Sequence, residues 1–173
     1  MSKKKYKIIT YGNKLLSKPS ECVKEINGNI KDLIDKMFKI MYKYKGIGLA
    51  AVQIGVPKRV IIIDTSNLDA ENLKLKKTLK LALINPEIVN TSMREETIEE
   101  GCLSIPGISA PVSRKFSVEI NGWTLEEKEV HLKLYNLNAR VAQHEIDHIN
   151  GILFIDRVDK RILKSIEREL KKK

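Results

Sequence analysis

The apolar residues of this chain recur with two periods, one typical of helices and one typical of strands. Apolar side chains stand three or four residues apart over 29–45, which predicts an amphipathic helix with Asn29 as its N-cap and Gly46 as its C-cap. The same spacing predicts a second helix that runs to Ile149 with Asn136 as its N-cap, and a third one from about Asp159. The chain therefore contains three well separated helical segments.

Five other stretches have the alternating or β-branched pattern of strands: residues 6–10 (a short edge strand), 60–63, 81–89, 112–120 and 127–134. Asn85-Pro86 interrupts the third stretch, which suits an edge strand or a bulge, and Asn121-Gly122 predicts a hairpin turn. Residues 65–80 are polar and lysine-rich, which predicts an exposed excursion.

This mixture of separated helices and strands predicts an α+β fold with mostly antiparallel sheets around the helix over 136–149. The length of 173 residues fits a single domain, 1–173.

Composition excludes several classes of protein. No stretch approaches the ~20 apolar residues of a membrane span, and the basic start of the chain is not followed by the apolar segment of a signal peptide. The glycines over 46–55 follow a helix, and no Walker lysine follows them, so we expect no nucleotide cofactor. Two cysteines do not make a disulfide framework, which favours a reducing compartment. We therefore expect a cytoplasmic protein without a membrane partner, and we expect Cys22 to be a buried, inert thiol.

The charge of the chain is strongly basic. Lysine and arginine number 32 against 22 acidic residues, which gives a net charge of +10, and residues 157–173 carry half of it. Solvated surface lysines account for this balance as well as an anionic partner such as RNA does. The predicted basic C-terminal helix, about 159–173, is the segment where such a partner would bind.

The strongest chemical signal is His-Glu-x-x-His, formed by His144, Glu145 and His148. Residues four apart lie on one face of a helix, so both imidazoles can bind one metal ion. The glutamate between them would stand next to that ion and could accept a proton from water there. The chain has three histidines, and the remaining one, His131, is predicted to be structural or superficial because no partner stands near it.

Two histidines do not complete a catalytic metal site, which needs three protein ligands and an open position. The local place for a third histidine is taken by Phe154, and Glu167 and Glu169 in the basic terminal segment are poorly placed. Cys102 is the best remaining donor. A zinc endopeptidase with an unidentified third ligand remains an alternative. So does a ribosome- or RNA-binding module with a structural metal, although such a closed site normally has four protein ligands.

Three stretches resemble motifs of the peptide deformylases, metal hydrolases that remove the formyl group from the N-terminal methionine of new chains. They read GIGLAAVQ at 46–53, EGCLS at 100–104 and QHEIDH at 143–148, in the order and spacing of that family, and a looser likeness extends from about residue 8 to 154. The resemblance implies that Cys102, His144 and His148 bind one divalent ion. Fe²⁺ is the expected ion, and Zn²⁺, Ni²⁺ or Co²⁺ could replace it.

The resemblance also assigns the catalytic groups. Glu145 would accept the proton of the attacking water and deliver it to the departing amine. The side-chain amide of Gln53, a polar group in an otherwise apolar stretch, and the backbone N–H of Leu103 would stabilise the oxyanion. Glu100 would pair with Arg114.

The implied substrate is an N-formyl-methionyl nascent peptide. Its methionine would be bound by Gly46, Ile47, Gly48, Ile98, Glu100, Leu137, Arg140 and Val141, with Gly48 bonding the peptide backbone. Ile108 and Ser109 stand where the family often has a tyrosine or an arginine that contacts the substrate backbone, so the pocket shape differs there. Arg140 could instead turn outward along the rim. The basic C-terminal helix could bind the ribosome, as it does in some relatives.

Overall fold

The computed structural model of the protein describes residues 6–68 and 78–170. It contains three α-helices and seven strands in the described part of the chain: α1 (Gly28–Lys43), β1 (Gly48–Ala50), β2 (Val60–Asp64), β3 (Lys80–Thr91), β4 (Glu95–Cys102), β5 (Ile105–Lys115), β6 (Ser117–Trp123), β7 (Glu129–Tyr135), α2 (Asn136–Ile149) and α3 (Lys160–Leu170). Short 3₁₀ turns cover Lys14–Ser17, Ala51–Ile54 and Phe154–Arg157.

The strands form two antiparallel sheets. The larger sheet has the order β1-β2-β3-β6-β7, and β4 and β5 form a separate two-stranded sheet. Every pair of neighbouring strands within these sheets is antiparallel. The α+β class predicted from the sequence is therefore confirmed.

The continuous apolar run of β2 reflects burial on both faces of the larger sheet. Ile61 and Ile63 pack in the cluster that contains α2 and β5, whereas Val60 and Ile62 pack in the cluster that contains α1. Side chains alternate between the two faces of a strand, so a helix on each face requires apolar residues at every position. As a result α2 lies inside the protein, packed against β1, β2, β5, β6 and β7.

Residues 6–10 do not form the predicted strand. They run in an irregular conformation, in which the backbone N–H of Ile9 donates to the carbonyl of Gln53 at 2.8 Å. The N–H of Tyr11 donates to the carbonyl of Ser104, also at 2.8 Å. The segment thus forms isolated bonds to two loops rather than a ladder, and it holds these loops of the candidate site together.

The ends of α1 differ from the prediction. Asn27, not Asn29, is the N-cap, because its side-chain oxygen accepts from the N–H of Asn29 at 3.0 Å. At the other end Tyr44 is the C-cap, and Lys45 adopts a left-handed φ of 57° before the chain reaches Gly46.

Asn85 marks a bulge, as predicted, but β3 is not an edge strand. The pairing of β3 with β6 shifts register between Ile84 and Glu87, and β3 lies between β2 and β6. Asn85 has a φ of 51°, and its side-chain amide bonds both the N–H and the carbonyl of Val23, at 2.8 and 2.9 Å. The Asn85 side chain thereby bonds the backbone of Val23 as a neighbouring strand would.

The predicted hairpin turn at Asn121-Gly122 is wrong. Both residues lie within β6, opposite His131 and Val130 of β7, and the connection runs through residues 124–128 with Glu127 at a φ of 56°. Favourable packing of a longer antiparallel pair outweighs the local turn preference of Asn-Gly. His131 is exposed and contacts Asn121 Oδ1 at 2.7 Å, as expected for a superficial residue.

Three further expectations concern the exposure of Cys22, the excursion over 65–80 and membrane-spanning helices. Cys22 is exposed, so the prediction of a buried thiol is wrong. Ser66 and Asn67, at the start of the predicted excursion, are exposed, and residues 69–77 of it lie outside the described residues. No helix within the described ranges is long and apolar enough to cross a membrane.

Candidate active site

Helix α2 carries two histidines and a glutamate on adjacent turns. His144 and His148 lie one turn apart with ring centroids separated by 4.9 Å, and Glu145 follows His144 directly. Most residues of α2 are buried because sheets and loops cover it on several sides. The packing therefore holds these polar side chains in the interior, at the wall of a cavity.

Cys102 reaches the two histidines because β4 ends in a tight turn. Leu103 and Ser104 connect β4 to β5, and Cys102 pairs with Ile105 across the turn. The sulfur of Cys102 lies 3.2 Å from Nε2 of His148, and donor atoms of Cys102, His144 and His148 lie within 4.8 Å of one another. The structure thus brings together the three residues that the sequence predicts as metal ligands.

This donor set fits a divalent transition-metal ion. Two ligands of one tetrahedral ion with bonds of about 2.0–2.3 Å stand roughly 3.3–3.8 Å apart, close to the separation of Cys102 and His148. One sulfur and two imidazole nitrogens are ligands that Fe²⁺ and Zn²⁺ both accept. Three protein donors leave one position open, which is the arrangement of a catalytic rather than a structural site.

The electrostatics at this position favour a positive charge. Burial opposes a charged His144, but hydrogen bonds to Cys102 and Glu100 outweigh burial and raise the pKa of its imidazole to about 10. Burial lowers the pKa of His148 well below its ordinary value, and the nearby positive charges of His144 and Arg114 lower it further. A metal ion would supply the positive charge that these groups stabilise and would displace the proton from His144.

Glu100 orients the first histidine. Its Oε2 lies 3.1 Å from Nδ1 of His144, which leaves Nε2 of that ring to point toward Cys102 and His148. Arg114 donates two hydrogen bonds of 3.0 Å to the same carboxylate, and Arg140 donates one of 2.6 Å. Burial opposes ionisation, but the bonds from His144 and Arg114 outweigh it and lower the pKa of Glu100 to about 2. The predicted pair of Glu100 and Arg114 is confirmed.

Glu145 is a buried carboxyl group with a free oxygen. Its Oε2 has no hydrogen-bond partner among the residues that the structure describes, and burial raises the pKa of the group to about 7. Gly48 of β1 makes room for it, because a Cβ at Gly48 would overlap Oε1 of Glu145 and lie 2.7 Å from Cγ1 of Val141. A carboxyl group with this pKa can exchange a proton at neutral pH.

Gln53 ends beside the sulfur of Cys102. Its Oε1 accepts a bond of 2.8 Å from the N–H of Ala50, which leaves the amide nitrogen directed at Ser104 Oγ (3.3 Å) and Cys102 Sγ (3.5 Å). Gln53 is buried in the 3₁₀ turn Ala51–Ile54, directly after β1. The N–H donors of Gln53 therefore face Ser104 and the sulfur of Cys102, one of the three potential ligands.

The site opens into a cavity of about 980 Å³. Its walls include the potential ligands Cys102 and His144, the three catalytic candidates Gln53, Leu103 and Glu145, and seven of the eight residues predicted to bind substrate: Gly46, Ile47, Gly48, Glu100, Leu137, Arg140 and Val141. The eighth, Ile98, is 48% exposed on β4 and is not among the lining residues. Ile108 and Ser109 also line the cavity.

Arg140 does not turn outward along the rim. It is buried, and besides Glu100 it donates to the carbonyl oxygens of Val112 at 2.9 Å and Glu96 at 2.5 Å. These bonds occupy its guanidinium group and tie α2 to β4 and β5.

Several residues of the site carried no sequence signal of their own. Tyr44 and Lys45 at the end of α1, and Pro106 in β5, line the cavity. Asp147, inside the His-Glu-x-x-His motif, is buried and bonds Arg114 and Arg157. Polar residues on α2 indicated that buried partners must exist, but nothing in the sequence identified Arg114 and Arg157 as the partners of Asp147.

Comparison with known proteins finds relatives over nearly the whole chain. The family model described as polypeptide deformylase matches residues 5–163. The peptide deformylase of Brachyspira hyodysenteriae is 46% identical over 95% of this chain and 86% of its own, and that of Carboxydothermus hydrogenoformans is 42% identical over 92% and 97%.

Solved structures show the same fold. A plant peptide deformylase superimposes with a TM-score of 0.88 at 34% identity, covering 99% of this chain and 90% of its own. The enzyme of Ehrlichia chaffeensis in complex with actinonin gives a TM-score of 0.86 at 33% identity, with 96% of each chain covered. This chain therefore belongs to the polypeptide deformylase family, the metal-dependent hydrolases that remove the N-formyl group from newly synthesised proteins.

Proposed function

We propose that Cys102, His144 and His148 bind the catalytic metal ion of this deformylase and that Glu145 is its general base and acid. The observation that carries the proposal is the meeting of three donor atoms within 4.8 Å beside a buried carboxyl group whose Oε2 has no partner in the described ranges. We expect Fe²⁺ as the ion, with Zn²⁺, Ni²⁺ or Co²⁺ as possible replacements, because the sulfur and imidazole donors suit all four. Elemental analysis of protein purified without oxygen, paired with its activity, identifies the ion.

When bound, the ion supplies Lewis acidity, lowering the pKa of water from about 16 toward ~7 and stabilising negative charge on the formyl oxygen. Glu145 takes the proton of the water as its oxygen attacks the formyl carbon. The same carboxyl group then delivers that proton to the amine nitrogen as the C–N bond breaks. The products are formate and a peptide with a free N-terminal amine. Burial raises the pKa of Glu145 to about 7, close to neutral pH, which suits a group that first accepts and then donates a proton.

Gln53 and Leu103 stabilise the oxyanion in this proposal. The bond between Gln53 Oε1 and the N–H of Ala50 fixes the amide so that its nitrogen faces the site. Leu103 follows Cys102 directly and lines the cavity, so we expect its backbone N–H to lie close to the same position. Donors of this kind, oriented before the reaction, typically contribute about 10²–10³ in turnover each.

The methionine side chain of the substrate occupies the cavity next to these groups. Ile47, Leu137 and Val141 supply an apolar wall, and Gly46 and Gly48 let the peptide backbone approach closely. Glu100 and Arg140 support the floor of the cavity through their mutual ion pair. Ile98 lies at the exposed side of β4, where it could contact the residues that follow the methionine.

A comparison of two substrates tests the reaction. We expect release of formate from an N-formyl-methionyl dipeptide and no cleavage of a longer peptide that lacks the formyl group. A zinc endopeptidase would show the opposite preference, and cleavage of the second peptide alone would overturn the proposed reaction. The family match and the three-donor site do not favour the endopeptidase or a module with a structural metal.

We further propose that the catalytic domain spans residues 1–173 and acts in the cytoplasm, with α3 binding the ribosome. Ile166 of α3 is buried against the core, and Ile162, Leu163 and Leu170 pack beside it. The opposite face presents exposed basic residues: Lys160, Arg161, Lys164 and Arg168. A helix that is anchored on one face and basic on the other can contact the phosphates of ribosomal RNA.

Neutralising that basic face tests ribosome binding without uncovering the core, which removal of residues 160–173 would do. We expect replacement of Lys160, Arg161, Lys164 and Arg168 by Gln to weaken ribosome binding by at least about tenfold at moderate salt and to leave formyl-peptide hydrolysis intact. The matched control replaces four exposed lysines in and beside α1, namely Lys24, Lys31, Lys36 and Lys39. Equal binding by both variants, or parallel loss of binding and hydrolysis, would contradict the proposal.

A further inference from the structure

A chain of ion pairs, buried at Glu100, Arg114 and Asp147, continues from the candidate metal ligands to the partly exposed Arg157 near the C-terminal segment. Asp147 of α2 is buried, and Arg157, at the end of the 3₁₀ turn Phe154–Arg157, donates two bonds to it. Nε of Arg157 bonds Oδ2, and Nη2 bonds Oδ1, both at 2.5 Å. This two-point pair fixes the plane of the Asp147 carboxylate.

Arg114 connects Asp147 to Glu100. Its Nη1 donates to Oδ2 of Asp147, while its Nε and Nη2 donate to the two oxygens of Glu100 at 3.0 Å each. Glu100 in turn lies 3.1 Å from Nδ1 of His144. A continuous sequence of charged contacts therefore runs from Arg157 through Asp147, Arg114 and Glu100 to His144.

Arg114 is shared between two carboxylates, so the position of its guanidinium group depends on both. Arg157 satisfies Oδ1 of Asp147, for which the described residues offer no other recorded side-chain partner. Without Arg157, the buried Asp147 would lose two of its three charge-assisted bonds. It would then attract Arg114 more strongly and weaken the hold of Arg114 on Glu100.

We propose that Arg157 is a positioning residue of the metal site, which acts through Asp147 and Arg114 to hold Glu100 against His144. Its guanidinium group touches neither the substrate cavity nor a metal donor. The orientation of a ligating histidine depends on the carboxylate that accepts its second N–H, and disturbing that carboxylate typically weakens metal binding by about 10–100-fold. Arg157 acts on that carboxylate through two intervening residues, Asp147 and Arg114, so its loss should weaken metal binding less.

The inference rests on the proposed ligands, and its test measures metal binding rather than activity alone. Metal-free protein is titrated with Co²⁺, whose visible absorption reports both affinity and ligand geometry. We expect Arg157→Met to raise the dissociation constant roughly 3–10-fold and to alter the Co²⁺ spectrum. Arg157→Lys, which keeps the charge but not the two-point contact, should lie between the wild type and Arg157→Met.

Arg161→Met is the matched control. Arg161 lies four residues further along the chain, its side chain is 95% exposed, and its recorded ion pair is with the exposed Asp159. Arg161→Met removes the same charge from the same segment as Arg157→Met but does not disturb Asp147. We therefore expect the Co²⁺ affinity and spectrum of this control to be unchanged. The Arg157 side chain is itself 41% exposed, so the folded state should tolerate its replacement.

A double variant distinguishes the proposed route from a general loss of stability. If Arg157 acts through Asp147, then Asp147→Asn combined with Arg157→Met should weaken Co²⁺ binding no more than the stronger single change. A lower melting temperature of Arg157→Met with wild-type Co²⁺ affinity and spectrum would overturn the inference, as would fully additive losses. Failure of the wild-type protein to bind Co²⁺ would count instead against the proposed metal ligands.

Discussion

Replacement of Glu145 by Ala is expected to reduce kcat by about 10²–10⁴-fold, the usual contribution of a positioned general acid and base. The metal content should stay at the wild-type level, because the proposed ligands Cys102, His144 and His148 are unchanged. Stability should not fall, because the buried Oε2 of Glu145 has no hydrogen-bond partner in the described part of the protein and its removal costs no such bond. Turnover of a formyl-methionyl dipeptide, elemental analysis and a melting curve of the same preparation check all three points.

The matched control for this change is Glu167→Ala on the exposed face of α3, which should leave turnover as it is. Glu145→Gln keeps the shape of the side chain but cannot accept the proton, so we expect it to be as inactive as Glu145→Ala. Activity of Glu145→Ala near the wild-type level would show that another group is the base. Loss of the metal in Glu145→Ala would show that the residue supports the ligands rather than the proton transfer.

Replacement of Gly48 by Ala should lower kcat by roughly 10²-fold, since displacement of a catalytic group by about 1 Å has an effect of that size. The added methyl group would overlap Oε1 of Glu145 and crowd Val141, so the carboxyl group must shift from its present position. Gly48 also lines the cavity, so KM should rise as well. Steady-state kinetics with the formyl-methionyl dipeptide separate the two effects.

Gly28→Ala is the control for the glycine change, because a Cβ at Gly28 meets nothing within 4 Å. We expect it to leave both constants unchanged. Wild-type kcat in Gly48→Ala would contradict this expectation, because it would mean that the buried Glu145 can shift without consequence.

Local patterns were sufficient for the elements whose residues interact mainly with their neighbours in sequence. The 3.6-residue period predicted the end of α2 at Ile149 and its start to within one residue, since Tyr135 rather than Asn136 is the N-cap, and therefore placed His144 and His148 on one face. The β-branched run over 60–63 predicted β2 as a buried strand, because both of its faces are covered by helices. In these cases burial and local preference favour the same structure.

Where long-range packing opposed a local signal, the prediction failed. Asn121-Gly122 has the composition of a hairpin turn, but pairing with His131 and Val130 extends β6 through both residues. Residues 6–10 alternate weakly, as an edge strand would, yet Ile9 bonds Gln53 and the next residue after the segment, Tyr11, bonds Ser104 in the turn after Cys102. No local preference reveals which distant carbonyl group an N–H will meet.

By itself the sequence determined the helix of the site, the chemistry of its side chains and, through three motifs, the enzyme family. Only the tertiary structure decided how the parts meet. The β4–β5 turn brings Cys102 to 3.2 Å from His148, Gly48 makes room for Glu145, and Arg114 joins Glu100 to Asp147. The physical reason is that the spacing of residues along a helix follows from its hydrogen bonds, whereas contacts between distant segments depend on how the two sheets pack around α2.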